Sequence, residues 1–245
     1  MRILLVSDLH YTLKQLDWLV AAAADYDVVV VAGDLLDIAS RVDPDAQIAV
    51  VLEYLARIAA KTTVVVCSGN HDLNARNEHG ERAAIWLDDA RASGVFVDGA
   101  RVATEEVVIS VCPWWDGPLT REVVGEALAA DASEIDGRLW IWVYHAPPDD
   151  SPTSWTGRRY YGDADLNVWI DRHRPDLVLC GHVHQSPFAD GGGWAHRIGT
   201  TWVVNSGQER GPVPTRIVIE TGERRARWVS SVGFEELDFA IQYSG

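Results

Sequence analysis

The chain has 245 residues, of which 47% are hydrophobic and 23% are charged, as is typical of globular proteins. This composition excludes a mainly disordered chain, and three cysteines are too few for a disulfide-dense scaffold. The 36 acidic and 21 basic side chains give a formal net charge of -15, which repels phosphate backbones and anionic lipid and therefore disfavours a broad nucleic-acid or membrane surface.

The N-terminal segment lacks the features of a targeting signal. Its apolar run, residues 3–6, meets Asp8 too soon to form the core of a signal peptide. No stretch approaches the roughly 20 apolar residues that span a bilayer. The odd number of cysteines, three, fits a reducing compartment. We therefore expect a cytoplasmic protein.

The N-terminal part of the chain alternates between apolar runs of strand length and segments with helical spacing. Nearly continuous apolar runs predict strands at residues 2–6, 28–32 and 64–67, because strands covered on both faces lack polar residues. Apolar stripes with helical spacing predict helices between them, over residues 13–20 and 48–58. This order of elements implies a parallel sheet with right-handed crossovers.

The rest of the chain predicts further strands. Apolar runs with intervening helical segments predict strands at residues 107–111, 140–144 and 177–180 and helices over residues 122–130 and 164–172. After Gly181 the pattern changes to strands joined by turns, at residues 194–198, 201–204, 215–219 and 226–230. No repeat, low-complexity tract or linker interrupts the chain, so we expect one domain over residues 1–245, with two packed sheets and outer helices. The sequence leaves open whether residues 234–243 pack on their own sheet or form an interface.

Side chains that bind metals follow five of the predicted strands. They are Asp8 and His10, then Asp34 and Asp37, then Asn70 and His71, then His145, and finally His182 and His184. In a sheet of this kind, ligands bind outside the carboxyl ends of the strands. Two divalent ions about 3.5–4 Å apart need a bridging carboxylate, with imidazoles and further carboxylates around them. The clusters therefore predict a dinuclear metal site.

The complete series of motifs resembles the calcineurin-like metallophosphoesterase superfamily. The motifs are D-x-H, G-D-x-x-D, G-N-H-D, a lone histidine and G-H-x-H, and they run from Asp8 to His184 in the order of that family. Each motif alone is weak, but the ordered set is specific. The resemblance implies an α/β fold, a four-layer α/β/β/α sandwich of two mixed β-sheets flanked by helices.

The resemblance also implies a role for each motif residue. One divalent ion is held by Asp8, His10 and His184, the other by Asn70, His145 and His182, and Asp34 bridges both. The ions are Mn, Fe, Zn, Co or Ni. A metal-bound hydroxide attacks the phosphorus in line, and His71 protonates the leaving group. By the same resemblance, Asp37 pairs with His71 and keeps its imidazolium charged, and we treat Asp72 as structural support.

Four residues are candidate substrate contacts: Asn70, Arg76, Trp114 and Arg158. Trp114 follows Pro113 near a strand end, where either a packed corner or an aromatic wall of the pocket is consistent with the sequence. Arg76 and Arg158 are candidate phosphate contacts, with solvated surface side chains as the alternative. Arg158 lies in a long polar loop, residues 146–163, that also carries Tyr161, and loops of this length often serve a function.

These inferences predict a phosphoesterase that hydrolyses a small-molecule phosphoester. We favour a phosphodiester over a monoester, because no large cap domain covers the expected site. After His145 the chain reads Ala146-Pro147, where many relatives have a second histidine, and this departure affects the substrate side. The alternatives are a non-catalytic metal-binding scaffold of the same fold and a nuclease. The filled ligand positions argue against the first, and the net charge of -15 argues against the second.

Overall fold

Two six-stranded β-sheets pack face to face and are covered by helices on their outer sides. The computed structural model describes residues 1–240. The architecture is the four-layer α/β/β/α sandwich of two mixed sheets that the motifs imply. A two-stranded hairpin lies outside both sheets. Within the described residues, every helix is too short or too polar to cross a bilayer.

The elements follow one another in an order close to the predicted one. The first half of the chain contains β1 (Arg2–Val6), α1 (Leu13–Ala22), β2 (Val28–Ala32), α2 (Pro44–Ala59), β3 (Thr63–Cys67), β4 (Ala75–Arg76), β5 (Arg82–Ala83), α3 (Leu87–Arg91) and β6 (Arg101–Ala103). The second half contains β7 (Val107–Val111), α4 (Pro118–Ala132), β8 (Leu139–Val143), α5 (Ala164–His173), β9 (Leu177–Cys180), β10 (Ala195–Ile198), β11 (Thr201–Asn205), β12 (Arg216–Glu220), β13 (Arg225–Ser230) and β14 (Gly233–Asp238).

Each sheet contains a block of adjacent parallel strands. The first sheet has the order β14-β13-β12-β1-β2-β3, in which β1, β2 and β3 are parallel and the other three strands are antiparallel additions. The second sheet has the order β10-β11-β9-β8-β7-β6, with β7, β8, β9 and β11 parallel. The parallel strands bring their carboxyl ends to one edge of the sandwich.

Three apolar layers hold the sandwich together. Alternate residues of a strand point to opposite faces, so β1 contributes to two of the layers. Ile3 and Leu5 pack between the sheets, whereas Leu4 and Val6 pack against α1 and α2. A third layer joins the outer face of the second sheet to α4 and α5. Burying each such side chain stabilises the fold by about 1.5–3 kcal/mol.

The predicted strands and helices are all present, with bounds that shift by a few residues. The elements that the sequence did not predict are β4, β5, α3, β6 and β14. The first four contain between two and five residues, which is too few for a hydrophobic period to show. In β14 four of the six residues are exposed and three are acidic, so no apolar run marks the strand, which pairs with β13 in the first sheet. Residues 241–243 of the segment 234–243 lie outside the described residues.

Candidate metal centre

The loops that follow β1, β2, β3, β8 and β9 bring polar side chains together at the carboxyl edge of the sheets. Seven of these side chains form groups in which the candidate ligand atoms lie within 4.8 Å of one another: Asp8, His10, Asp34, His71, His145, His182 and His184. Asn70 precedes His71 in the loop after β3. The five strand ends therefore form one site, as the sequence predicts.

The first group of ligand atoms joins the loop after β1 to the loop after β9. It consists of Asp8, His10 and His184. The Nε2 atom of His184 lies 3.1 Å from Oδ1 of Asp8 and 3.1 Å from Nε2 of His10. One carboxylate oxygen and two imidazole nitrogens thus converge on a common point.

The second group joins the loops after β2, β8 and β9. It consists of Asp34, His145 and His182. The Nε2 atom of His145 lies 3.2 Å from Oδ2 of Asp34, and the same oxygen lies 3.8 Å from Nε2 of His10. Because Asp34 also groups with His10 and His71, its carboxylate stands between the two groups.

Two buried polar atoms at this site suit a metal ion. Asn70 Oδ1 and His145 Nε2 are buried and make no hydrogen bond with any residue that the structure describes, although His145 Nε2 lies in ion-pair contact with Asp34 Oδ2 at 3.2 Å. Unsatisfied buried polar atoms are rare in folded proteins, and a bound ion is one accepted reason for them. Carboxylate, imidazole and amide-oxygen donors together suit divalent transition metals. The residues therefore fit the pair of ions that the motifs imply.

Several of these residues adopt backbone conformations that L-amino acids usually avoid. Positive φ angles occur at Asp8 (55°), His10 (42°), Asp34 (56°) and His182 (66°). Backbone bonds hold two of these turns together, since Asp8 N donates to Gly33 O and His10 N donates to Asp34 O. Such conformations cost of order 1–3 kcal/mol each and persist where the surrounding structure enforces them, typically at functional sites.

Asp72 connects the loop after β2 to the loop after β3. Its buried carboxylate accepts four backbone hydrogen bonds, from Asp34 (2.8 Å), Leu35 (3.0 Å), Leu36 (3.0 Å) and Gly69 (2.8 Å). Burial and the nearby Asp34 carboxylate raise the pKa of Asp72 to about 7, against the opposing effect of the four N–H donors. Asp72 thus gives the structural support that we expected and fixes the backbone that carries Asp34.

The orientation of Asp8 is also fixed by its neighbours. Its Oδ2 atom accepts a hydrogen bond from the Ser7 hydroxyl, which lies 2.7 Å from the Ser206 hydroxyl. The backbone N–H of His182 donates to the same carboxylate at 3.1 Å. Gln208 Nε2 donates to the Asp8 carbonyl oxygen at 2.7 Å. Oδ1 is thereby left facing the imidazole of His184.

The charges at the site are mutually compensating. Burial disfavours the ionised form of Asp34, but His145 outweighs this effect and holds the pKa of Asp34 well below its usual range. Burial likewise disfavours the imidazolium of His145, yet Asp34 and Asp8 raise the pKa of His145 to about 9. Burial, reinforced by His145, lowers the pKa of His182 to about 4, and burial also lowers the pKa of His10. These effects favour the neutral form of His10 and His182, which is the form that ligates a metal. Burial opposes the charged form of His184 as well, but the hydrogen bond with Asp8 raises the pKa of His184, so His184 and His145 favour the charged form.

The structure does not show the expected pairing of Asp37 with His71. Among the described residues no ion pair within 4.0 Å joins them, and Asp37 Oδ1 instead accepts a hydrogen bond from Ala39 N at 2.8 Å. The backbone N–H of Ile38 donates to His71 Nδ1 at 3.4 Å. The expectation fails because Asp37 caps its own turn, a local bond that competes with a longer-range contact. Nδ1 of His71 acts as the acceptor in the bond from Ile38, which leaves Nε2 as the ring nitrogen available to donate.

The candidate substrate contacts lie in different environments. Trp114 is half-buried, and its ring centre lies 5.7 Å from that of His145 and 5.3 Å from that of His182. Arg76 is exposed and donates to the Gly80 carbonyl oxygen in its own hairpin. Arg158 is also exposed. In the described part of the chain, no hydrogen bond or ion pair connects either arginine to the grouped site residues.

Two residues of the site surroundings were not identified from the sequence, and Tyr161 was placed only in a loop that could contact substrate or solvent. Ser206 and Gln208 follow β11, which is a parallel strand. A search for polar residues after the carboxyl ends of parallel strands, which located the metal-binding clusters, would therefore have found them as well. The side chain of Tyr161 stacks on His182, with ring centres 5.0 Å apart and an angle of 19° between the ring planes. Tyr161 lies in a long loop, and no local pattern indicates which way such a loop turns.

Comparisons with known proteins agree with the motifs and the fold. A family model for calcineurin-like phosphoesterases matches residues 1–186. The structure is similar to that of the Thermus thermophilus protein TT1561, with a TM-score of 0.61 and 17% identity over 97% of this chain and 98% of that one. It is also similar to a purple acid phosphatase from yellow lupin seeds, with a TM-score of 0.56 and 13% identity over 98% of this chain and 52% of that one.

A third solved structure is the anchor in the inner membrane complex of Plasmodium. Its TM-score is 0.56 at 9% identity, over 97% of this chain and 88% of that one. Identities this low show a common fold only. No curated protein matches the chain in sequence.

Proposed function

The chain belongs to the calcineurin-like phosphoesterase family, and we propose that it hydrolyses a small phosphodiester with two divalent metal ions bound at the strand ends. The observation that carries this proposal is the position of Asp34. Its carboxylate groups with His10 on one side and with His145 and His182 on the other, within 4.8 Å in each case. A single carboxylate between two sets of ligand atoms is the arrangement that a pair of ions requires.

Each ion has its own set of proposed ligands. The first ion is held by Asp8, His10 and His184, the second by Asn70, His145 and His182, and Asp34 is shared. The unpartnered Asn70 Oδ1 supports the assignment of this amide to the second ion. When bound, the ions lower the pKa of a coordinated water and withdraw charge from the phosphoryl oxygens. Family members normally bind divalent ions, and Mn, Fe, Zn, Co and Ni all suit these donors.

His71 is proposed to donate a proton to the oxygen of the leaving group. The hydrogen bond from Ile38 N occupies Nδ1, so Nε2 holds the proton. The His71 ring packs edge-on against that of His10, with centres 4.5 Å apart, which keeps it beside the first group of ligands. A positioned acid of this kind contributes about 10²–10⁴ to a rate. Asp37 then acts only by shaping the turn that presents Ile38.

The charges near the site favour a diester substrate. No lysine or arginine in residues 1–240 makes a hydrogen bond or ion pair with the proposed ligands or with His71. A phosphomonoester carries a charge of about -1.5 to -2 at pH 7 and gains most from added cations, whereas a diester carries a single charge. The lack of a lysine or arginine bonded to these residues within residues 1–240 supports the singly charged substrate, although Arg159 lies over the Tyr161 ring, 5.4 Å from its centre.

We also propose that the whole chain acts as one phosphoesterase domain, although the family model ends at residue 186. The later strands complete both sheets, since β12 pairs with β1 and β11 pairs with β9. Ser206 and Gln208, which fix Asp8, lie in this later part as well. The C-terminal strands therefore support the site directly.

The decisive experiment compares bis(p-nitrophenyl) phosphate with p-nitrophenyl phosphate as substrates. Metal-free protein is assayed after separate addition of Mn, Fe, Zn, Co and Ni. Asn70→Ala and His71→Ala are measured in parallel, and His79→Ala is the matched control because His79 is an exposed histidine paired only with Glu78 at 3.8 Å.

We expect metal-dependent turnover that favours the diester, is lost in Asn70→Ala and His71→Ala and is retained in His79→Ala. Faster turnover of the monoester would contradict the diester preference alone. Two bound ions without turnover of either ester would contradict the proposed activity and favour a metal-binding scaffold. Turnover that survives Asn70→Ala would contradict the assignment of the second ion.

A further inference from the structure

The rings of His145 and His182 are held in different ways. The Nδ1 atom of His145 donates to the Ala32 carbonyl oxygen at 2.7 Å. The Nε2 atoms of His10 and His184 contact each other and Asp8, which are all proposed ligands of the first ion. No hydrogen bond or ion pair within the described part of the chain holds the His182 ring. Histidines that bind metals normally donate their second ring nitrogen to a carboxylate, a carbonyl or water. Within the described residues, packing contacts are therefore what restricts the His182 ring.

Three aromatic rings surround the His182 imidazole. Tyr161 stacks on it nearly in parallel, with centres 5.0 Å apart and planes at 19°. Trp114 lies at 5.3 Å and 49°, and His145 lies at 5.1 Å and 69°. Aromatic pairs attract one another at centre distances of about 4.5–7 Å, with a preference for offset-stacked and edge-to-face geometry. These contacts restrict rotation of the His182 ring about its side-chain bonds.

The backbone around Tyr161 is built as a fixed hairpin. Tyr161 N donates to the Ser154 carbonyl oxygen at 2.8 Å, and Trp155 forms an antiparallel bridge with Tyr160. Trp155 and Tyr160 also pack their rings together, with centres 4.9 Å apart. Gly157, at the tip, has a φ of +86°, which favours glycine and allows the tight turn.

The hairpin is attached to the second sheet and its neighbouring loop. Asn205 Nδ2, at the end of β11, donates to the Thr153 carbonyl oxygen at 3.0 Å, and Trp155 Nε1 donates to the Asp190 carbonyl oxygen at 2.9 Å. The Asn205, Thr153 and Ser154 side chains are buried. A loop fixed in this way supports what it touches and does not act as a mobile lid.

We propose that Tyr161, aided by Trp114, is a positioning residue that holds the His182 imidazole in the orientation needed to bind the second metal ion. The ring stack replaces the hydrogen bond that orients other metal-binding histidines. The role of the loop 146–163 is then to place Tyr161 against the ligand. This inference rests on the proposed function, because it takes His182 to be a ligand.

The test measures metal binding and not only activity. Calorimetric titration of metal-free protein with Mn(II) gives the stoichiometry and the Kd of each ion, and the visible absorption of bound Co(II) reports the geometry around each ion. The variants are Tyr161→Ala, which removes the ring, and Tyr161→Phe, which keeps the ring and removes the hydroxyl. Phe234→Ala is the matched control, because Phe234 is a similarly exposed aromatic residue on β14, where its ring packs against Arg227.

We expect Tyr161→Ala to weaken one of the two ions by about tenfold and to change the Co(II) spectrum of that ion only. Tyr161→Phe and Phe234→Ala are expected to bind both ions within about threefold of the wild type. Since Tyr161 is 53% exposed, its variants are expected to fold, and thermal unfolding checks this.

Three results would overturn the inference. If Tyr161→Ala binds both ions as the wild type does, the ring has no positioning role, while the proposed function stands. If Tyr161→Phe is as weak as Tyr161→Ala, the hydroxyl and not the stack is responsible. If the wild type binds only one ion, the proposed dinuclear function fails together with this inference.

Discussion

Asp72 joins two loops of the site through its carboxylate, and Asp72→Asn tests this role. Its Oδ2 atom accepts hydrogen bonds from Asp34 N and Gly69 N at 2.8 Å, and Oδ1 accepts from Leu35 N and Leu36 N at 3.0 Å. In the variant an amide NH₂ group replaces one of these oxygens, and this group cannot accept a hydrogen bond from a backbone N–H. Whichever way the amide is oriented, two buried N–H groups lose their acceptor.

The expected loss of stability follows from these two N–H groups. A buried donor without a partner costs about 1–3 kcal/mol, which sets the loss at about 2–6 kcal/mol if the two costs add. Contacts that share one group rarely add fully, so we expect a loss of about 2–4 kcal/mol relative to the Asp98→Asn control, which also removes a carboxylate. In one orientation of the amide Asp34 N and Gly69 N lose their acceptor, and in the other Leu35 N and Leu36 N lose theirs. The turn that carries the proposed bridging ligand is therefore disturbed in either case. We expect ion affinity to fall by about 10–100-fold, as for other residues that orient metal ligands.

Urea unfolding followed by tryptophan fluorescence measures the stability, and titration with Mn(II) measures the ion affinity. Both are done at pH 8, above the pKa of about 7 that burial and Asp34 give Asp72, so that the wild-type carboxylate is ionised. Asp98→Asn is the matched control. Burial also raises the pKa of Asp98, so this variant measures the stability gained by removing such a carboxylate, and asparagine retains the oxygen that accepts from Ser68 N at 2.8 Å. If the stability of Asp72→Asn is less than about 1 kcal/mol below that of Asp98→Asn, with unchanged ion affinity, the reasoning is refuted.

Three further predictions concern the acid, a close backbone approach and a buried carboxyl. His71→Ala should lower kcat by about 10²–10⁴-fold, whereas Asp37→Asn should lower kcat by less than about tenfold. Equal losses of kcat in steady-state assays would contradict this and indicate that the two side chains act as a pair. Gly69→Ala should weaken ion binding by about 10–100-fold, because a Cβ atom there would lie 2.6 Å from Asp34 N. If the variant binds the same number of Mn(II) ions as the wild type, with the same Kd values, this prediction is contradicted. Burial raises the pKa of Asp98 from 3.8 to about 6, so the folded state holds this proton more tightly than the unfolded state. The wild type should therefore lose up to about 3 kcal/mol of unfolding free energy relative to Asp98→Asn as pH rises from about 4 to about 6, and parallel stability curves would show that the carboxyl titrates normally.

The positions of the proposed ligands could be predicted from the sequence because they depend on short-range patterns. A buried strand is followed by a turn, and the parallel arrangement brings such turns together whatever the loops do elsewhere. Asp8, Asp34 and His182 were therefore placed in one site without any knowledge of the distances between them. The fold class followed from the same strands and from the family resemblance.

The contacts around the site could not be predicted in the same way. Asp37 satisfies the N–H of Ala39 in its own turn, and this local bond wins over the contact with His71. The direction of Tyr161 depends on the bond from Asn205 to Thr153, which joins residues 52 positions apart. Local spacing contains no information about such a bond, so sequence reasoning left the loop undecided between solvent and substrate.

The local and long-range features act together on the backbone of the site. The positive φ angles of Asp8, Asp34 and His182 each raise the free energy of the folded chain, and none of these residues would keep that conformation in isolation. Asp72 and Gln208 hold the first two turns by hydrogen bonds to the backbone, while Tyr161 restrains the His182 side chain. Since all of these bonds are made by the protein alone, the ligand atoms converge before any ion binds. The ordering of the site is therefore a cost of folding, and little of the binding free energy of the ions is needed to assemble their ligands.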